Sequence, residues 1–176
     1  MNLWHDIAPG TPEEITTIIE IGRGSNNKYE IDKDTGLIKL DRANYSAAAY
    51  PFDYGFVPQT LWHDGDPLDV VVLATYPLLP GILVNVRPVA VIEMIDSGES
   101  DYKVIAVPTE DKRWEDVQDL DDLNKHTIKE IRHFFETYKL LKGKPAPVEI
   151  GEIKGKAAAV AAFNESIKLY NEKFSK

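Results

Sequence analysis

Cysteine is absent from all 176 residues, which excludes disulfide frameworks, thiol catalysis and Cys-ligated zinc. Positive charge is scarce too: 20 Lys and Arg face 29 Asp and Glu, a formal net charge of −9. Nonspecific attachment to DNA or to acidic membranes depends on neutralising phosphates, so this balance argues against it. A local basic pocket stays open. Long apolar runs are missing, because Pro77, Pro80 and Pro88 interrupt the richest region well short of the ~20 residues of a membrane span. Residues 1–10 have neither the basic end nor the apolar stretch of a signal peptide. A soluble, cytoplasmic chain with no membrane or nucleic-acid partner is therefore expected. No repeat, linker or low-complexity tract divides it. With 43% hydrophobic and 28% charged residues, the chain reads as one domain over 1–176, able to bury roughly 70% of its unfolded surface.

Thr11-Pro12-Glu13-Glu14 reads as a capped turn before a strand over 15–21. Residues 28–32 and 36–40 read as two short strands around the hairpin turn Lys33-Asp34-Thr35-Gly36, with glycine where positive φ is needed. Apolar, β-rich runs over 68–74, 82–95 and 102–107 complete six or seven strands, all in the first two thirds; Pro88 should break or bulge the longest. The period then changes. Ile128, Ile131, Phe134, Phe135, Tyr138 and Leu141 recur at helical spacing, stopped by Gly143 and Pro145, and the Ala-rich 156–174 fits a second helix. Strands followed by helices indicate an α+β, mainly β fold: a closed or nearly closed OB-like β-barrel with two flanking α-helices.

Chemistry concentrates in Asp64-Gly65-Asp66-Pro67-Leu68-Asp69-Val70. Three carboxylates so close repel one another unless a cation sits among them, and their oxygens suit a hard ion such as Mg²⁺. Taken alone, such a loop is more often a solvated acidic turn. It is no EF-hand, since Leu68, Asp69 and Thr75 fall where a ligand, the glycine and the closing glutamate belong. Asp96, Glu99 and Asp101, followed by Lys103, form a second acidic group, by itself an ordinary polar turn. Both groups sit at strand ends, where one barrel mouth would join them. Lys28, Glu30 and Asp32 share a strand face, a pattern that also fits a solvated face. Arg42 follows the next strand. The aromatic segment from Tyr50 to Pro58 reads as a loop, either packed by its rings or offering the phenols of Tyr50 and Tyr54 to phosphate oxygens. Carboxylates mixed with Lys, Arg and Tyr favour metal-assisted phosphoryl transfer over a simple metal store.

The Asp64 to Val70 motif resembles the signature of the soluble family I inorganic pyrophosphatases, in their compact prokaryotic form. The resemblance extends through Ile19-Glu20-Ile21, Lys28-Tyr29-Glu30-Ile31-Asp32, Asp41-Arg42, Tyr50-Pro51 with Tyr54-Gly55, Tyr76-Pro77-Leu78 and Arg87-Pro88-Val89. It continues through Asp96 to Lys103, Val107-Pro108 and His133-Phe134-Phe135-Glu136 with Tyr138-Lys139. It implies Mg²⁺-dependent hydrolysis of pyrophosphate to two orthophosphates, with several Mg²⁺ per site and Ca²⁺ as an inhibitor. It further implies that Asp64, Asp69 and Asp101 hold the first cation, that Asp69 also touches a second, and that Asp96 and Asp101 hold a substrate-borne one. Glu20 and Glu30 would sit in the surrounding metal and water network, with Tyr50 lining the site. Lys28, Arg42, Tyr54, Lys103, Tyr138 and Lys139 match the phosphate-binding set, and Asp66 the general base for the attacking water. A homohexamer is implied, for which the helix carrying His133 and Phe134 is a candidate contact. Ser97 departs from the family, which often has an acidic residue there.

Two rival readings remain at this stage. An OB-like barrel acting as a binding module for single-stranded nucleic acid would use the 10% aromatic residues for stacking, but it needs a basic groove. A Mg²⁺-dependent nucleotide hydrolase lacks its phosphate loop: no Gly-x-x-x-x-Gly-Lys-Ser/Thr occurs, and Gly22-Arg23-Gly24 lacks a third glycine. His5, His63, His126 and His133 show no ligand spacing and receive no role. Trp62 reads as a packing residue, and the sequons at Asn44 and Asn164 as incidental.

Overall fold

A computed structural model describes residues 1–143 and 148–174. At its centre five strands close into a ring. β1 (Ile15–Ile21), β4 (Asp53–Phe56), β5 (Asp69–Val72), β8 (Lys103–Pro108) and β6 (Leu83–Asp96) pair in that order, and β6 returns to β1. Every junction is antiparallel except β5 against β8. Closure removes the exposed edges that a short-stranded sheet would otherwise present. The mainly β ring with two helices is the OB-like architecture expected from the sequence, though uneven, with strands of 4 to 14 residues.

β6 is long enough to serve the ring and to run past it, where it meets β7 (Glu99–Ser100) and β9 (Val148–Gly155). Its register against β8 slips between Pro88 and Ala90. Proline cannot donate to the ladder, so the expected bulge forms there. β2 (Asn27–Ile31) and β3 (Ile38–Ala43) make a separate two-stranded sheet. Their turn ends at Gly36, φ +71°, whose N–H donates to the Asp32 carbonyl at 2.7 Å.

Two strands depart from the sequence reading. The 50–58 segment is not all loop, because Asp53–Phe56 is a strand buried along its whole length. Pro51, Gly55 and Pro58 hide it, and no polar alternation marks a strand enclosed on both faces. β9 places a strand in the last third of the chain. Gly151 and Gly155 interrupt its pattern, and charged residues mark it as an outer strand.

α1 (Lys125–Thr137) begins at Asn124, whose side chain accepts from the N–H groups of His126 and Thr127. It stops before Leu141, the limit expected from the periodicity. Tyr138 caps it, and Leu140–Lys142 form a 3₁₀ turn with Leu140 and Leu141 exposed. Pro145 lies outside the described residues. On α1, Phe134 is buried with its ring 4.7 Å from that of Tyr50, whereas His133 is exposed. α2 (Lys156–Phe174) has the expected limits and packs Ala159, Ala162 and Phe163 against the barrel core. Its first residue is held by the Asp119 carboxylate, which accepts the Lys156 N–H at 2.9 Å. No helix among the described residues is long and apolar enough to cross a membrane.

Gly55 marks the tightest crossing of the barrel. A Cβ there would lie 2.0 Å from the Ile18 carbonyl oxygen and 3.0 Å from Ile19 Cα. Gly55→Ala should lower stability by about 3 kcal/mol, at the upper end of overpacking costs. Chemical denaturation is the measure, and an unchanged midpoint would contradict this close approach.

Candidate active site

The acidic loop is folded by its own backbone. Gly65 N–H donates to the Trp62 carbonyl at 3.0 Å, Trp62 N–H to the Asp66 carbonyl at 2.7 Å, and Asp66 N–H to Asp64 Oδ1 at 3.1 Å. Gly65 takes φ +86°, which glycine adopts without a Cβ clash. Trp62 is the packing residue expected: it is buried, and its indole N–H donates to Ser100 Oγ at 3.1 Å.

The loop leads into β5, whose parallel register sets Asp69 opposite Lys103. The Lys103 ammonium, on a residue only 3% exposed, donates to Asp69 Oδ2 at 2.5 Å and to the Asp101 carboxylate. The ring of Tyr54, from β4, lies 5.8 Å from the Lys103 ammonium. The end of β6 meets the end of α1 through the Asp96–Lys139 ion pair. Across the opening, Lys28 bridges Glu30 at 2.8 Å and Asp41 at 3.1 Å. Glu20, buried on β1, accepts the Ile31 N–H at 2.7 Å and so ties the β2–β3 sheet to the barrel.

These side chains surround a cleft of about 430 Å³. Glu20, Lys28, Glu30, Tyr54, Asp64, Asp66, Asp69, Asp96, Asp101, Lys103, Tyr138 and Lys139 line it, together with Glu99 and Ser97. The two acidic groups of the sequence thus share one mouth. Two of the proposed site residues stand back from it. Tyr50 is buried in the ring cluster with Phe52 and Phe134. Arg42 donates to Asp41 at 2.8 Å and lies 5.0 Å from the centre of the Tyr45 ring, and its Nε and Nη2 are buried without a hydrogen-bond partner. Lys33, which the sequence reading gave only a place in a turn, also lines the cleft. No local pattern reveals it, since its partners lie in the acidic loop. Among the described residues no histidine lines the cleft.

The electrostatics show what the cluster accommodates. Burial, then the neighbouring Asp101 carboxylate, pushes Asp64 up to about 7. Burial likewise pushes Asp69 up to about 6 against the pull of Lys103. Burial, with Asp69 nearby, holds Glu20 well above the usual carboxylate range. At Asp101 the same burial is outweighed by Lys103, and its pKa is lowered. Burial would lower the Lys103 ammonium, but Asp101 and Asp69 hold it well above its ordinary value. Like charges crowded this way need a shared proton or a cation. As the side chains stand, no group of three Asp, Glu or His among the described residues surrounds a single coordination point. Lys103 supplies the positive charge between the carboxylates. An all-oxygen, crowded donor set of this kind fits a hard divalent ion such as Mg²⁺.

A family model described as inorganic pyrophosphatase matches residues 17–171. Among sequence relatives, the inorganic pyrophosphatase of Geobacillus stearothermophilus is 48% identical over 90% of this chain and 94% of that protein. That of Haloferax volcanii is 45% identical over 99% of each. The chain belongs to the family I inorganic pyrophosphatases. The crystal structure of the inorganic pyrophosphatase from Thermus thermophilus matches with a TM-score of 0.91 at 46% identity, covering 97% of this chain and 99% of that one. Family membership and cleft agree, since the aligned region includes every cleft residue named above.

The raised Asp64 carboxyl carries a sign for stability. Its contribution in the folded chain is complete at low pH, below the ordinary carboxylate value, and is lost as pH rises through about 7. In the presence of a chelator, Asp64→Asn should stabilise the protein by on the order of 1 kcal/mol near pH 8, a value discounted for partial exposure, by roughly half of that or less near pH 5, and by almost nothing near pH 3. Denaturant titrations at these pH values check it; equal effects at all of them would contradict the crowding.

Proposed function

We propose that the chain hydrolyses inorganic pyrophosphate to two orthophosphates with Mg²⁺ as its cation. The observation that carries this reading is the single cleft in which Asp64, Asp69, Asp96 and Asp101 stand among Lys28, Lys103 and Lys139. A site for metal storage has no use for three ammonium groups, and a simple anion site has no use for four carboxylates.

In this reading Asp64, Asp69 and Asp101 hold the first cation, and Asp96 with Asp101 a further one that arrives with the substrate. When bound, Mg²⁺ neutralises the pyrophosphate oxyanions and acidifies the attacking water. Lys28, Lys103, Lys139 and Arg42 bind phosphate oxygens, and the phenols of Tyr54 and Tyr138 donate to them. Arg42 Nε and Nη2 are buried with no hydrogen-bond partner, so in this reading the side chain turns toward the cleft when substrate binds. Asp66 accepts the proton of the water as its oxygen bonds to phosphorus. The bridging P–O bond breaks, its electron pair leaves with the second phosphate, and the proton passes to product: P₂O₇⁴⁻ + H₂O → 2 HPO₄²⁻. Glu20, Glu30 and Tyr50 support the surrounding network. Self-association as a homohexamer, with the exposed face of α1 at His133 as a contact, and a cytoplasmic location complete the proposal. The nucleic-acid alternative lacks support, because carboxylates occupy the place of a basic groove.

Phosphate release from pyrophosphate should require Mg²⁺, stop with a chelator, and be inhibited by Ca²⁺, whose looser shell and longer bonds position water poorly. Single-turnover reaction in ¹⁸O-water should place label in phosphate and leave no phosphoryl group on the protein. A phosphorylated protein that discharges at the rate of turnover would refute direct attack.

The two loop aspartates should separate. Asp66→Asn should lower kcat by on the order of 10²–10⁴ with cation affinity retained. Asp69→Asn should weaken Mg²⁺ binding, with part of its activity restored at high Mg²⁺. Calorimetric Mg²⁺ titration beside kinetics distinguishes them, and identical behaviour of the two variants would overturn the division of roles.

A further inference from the structure

Lys33 stands on the rim opposite the acidic loop, in the turn between β2 and β3. Its ammonium pairs with Asp66 Oδ1 and reaches the Gly65 carbonyl at 3.3 Å. The Asp66 backbone is already fixed by Trp62 and Asp64, but its side chain is 50% exposed. Among the described residues no other side chain is paired with that carboxylate. Oδ1 is taken by the ammonium while Oδ2 remains free.

An exposed ion pair contributes only about 0.2–1 kcal/mol to stability, and some contribute nothing. Stability is the wrong measure for this pair. The β2–β3 sheet pairs with no strand of the barrel, yet it carries Lys28 and Glu30 to the cleft. At Lys33 that sheet and the acidic loop touch across the opening, and the touch falls on the carboxylate that must be aimed. An aspartate without such a tether distributes over about three staggered wells, only one of which faces the cleft productively.

We propose that Lys33 is the positioning residue of Asp66. It holds one carboxylate oxygen from the far rim, so that the other faces the water to be deprotonated, and it makes no contact with pyrophosphate. The inference rests on the assignment of Asp66 as general base.

The test is a double-mutant cycle on the full chain, reading kcat and KM for pyrophosphate at saturating Mg²⁺. Lys33→Met should lower kcat on the order of 3- to 10-fold, from lost orientation, and Lys33→Arg should restore most of it. KM should stay within about twofold, and in an Asp66→Asn background Lys33→Met should change kcat by less than about 1.5-fold. Unchanged kcat in Lys33→Met would overturn the inference. So would a loss carried by KM, which marks a substrate contact, or an equal loss in the Asp66→Asn background. If Asp66→Asn alone retains full kcat, the base assignment itself has failed. That result is distinct from a silent Lys33→Met beside an impaired Asp66→Asn.

Discussion

A lysine ammonium taken almost wholly out of water is the constraint around which the cleft is arranged. Burying such a charge costs several kcal/mol unless it is paired and hydrogen-bonded. Lys103 meets that demand with Asp69 and Asp101. Both carboxylates are themselves largely buried, so each of the three groups is tolerable only because of the other two. The parallel register of β5 and β8 delivers this geometry from the backbone, since Asp69 and Lys103 are direct partners in the ladder. The crowding that remains falls on Asp64, whose carboxyl is pushed up by burial and by the nearby Asp101 carboxylate.

Around that centre, elements that do little for one another structurally converge on one opening. The outer end of β6 brings Asp96 and α1 brings Tyr138 and Lys139. Helix α1 reaches the site because Ile131, Phe134 and Phe135 pack into the aromatic cluster with Tyr50 and Phe52. Tyr50 thus works from behind the wall: its ring supports the helix that presents the cleft residues. Glu20 ties the β2–β3 sheet down from beneath, and Lys33 meets the acidic loop from above.

How much of this was legible varies with how local the cause is. The limits of β1 and α2 follow from a β-branched apolar run and from an Ala-rich helical stretch. The Pro88 bulge follows from a missing donor. β4 was hidden because Gly55 answers to the Ile18 carbonyl on a neighbouring strand, a cause outside its own segment. β9 was hidden because glycines and charges erase its alternation. In the candidate site, the two acidic groups announced themselves by spacing, and the cleft does unite them. That Arg42 and Tyr50 stand back from it could not be read, because both positions depend on which partner, Asp41 or Phe134, lies nearest after folding. Lys33 in Lys-Asp-Thr-Gly looks like any solvated turn charge, since nothing near it in sequence points to Asp66.

The β5–β8 seam has a consequence for how the protein acquires its site. Asp64 and Asp69 lie on one side of that parallel seam, Asp101 and Lys103 on the other, and the chain must travel out through β6 before it can return to join them. Parallel partners need such a crossover, and pairings distant in sequence form slowly because loop closure precedes their reward. No hairpin or other local unit contains the acidic cluster. Half a barrel therefore holds only part of the carboxylate set, and the complete cluster, with the lysine between its members, comes into being only as the ring itself closes.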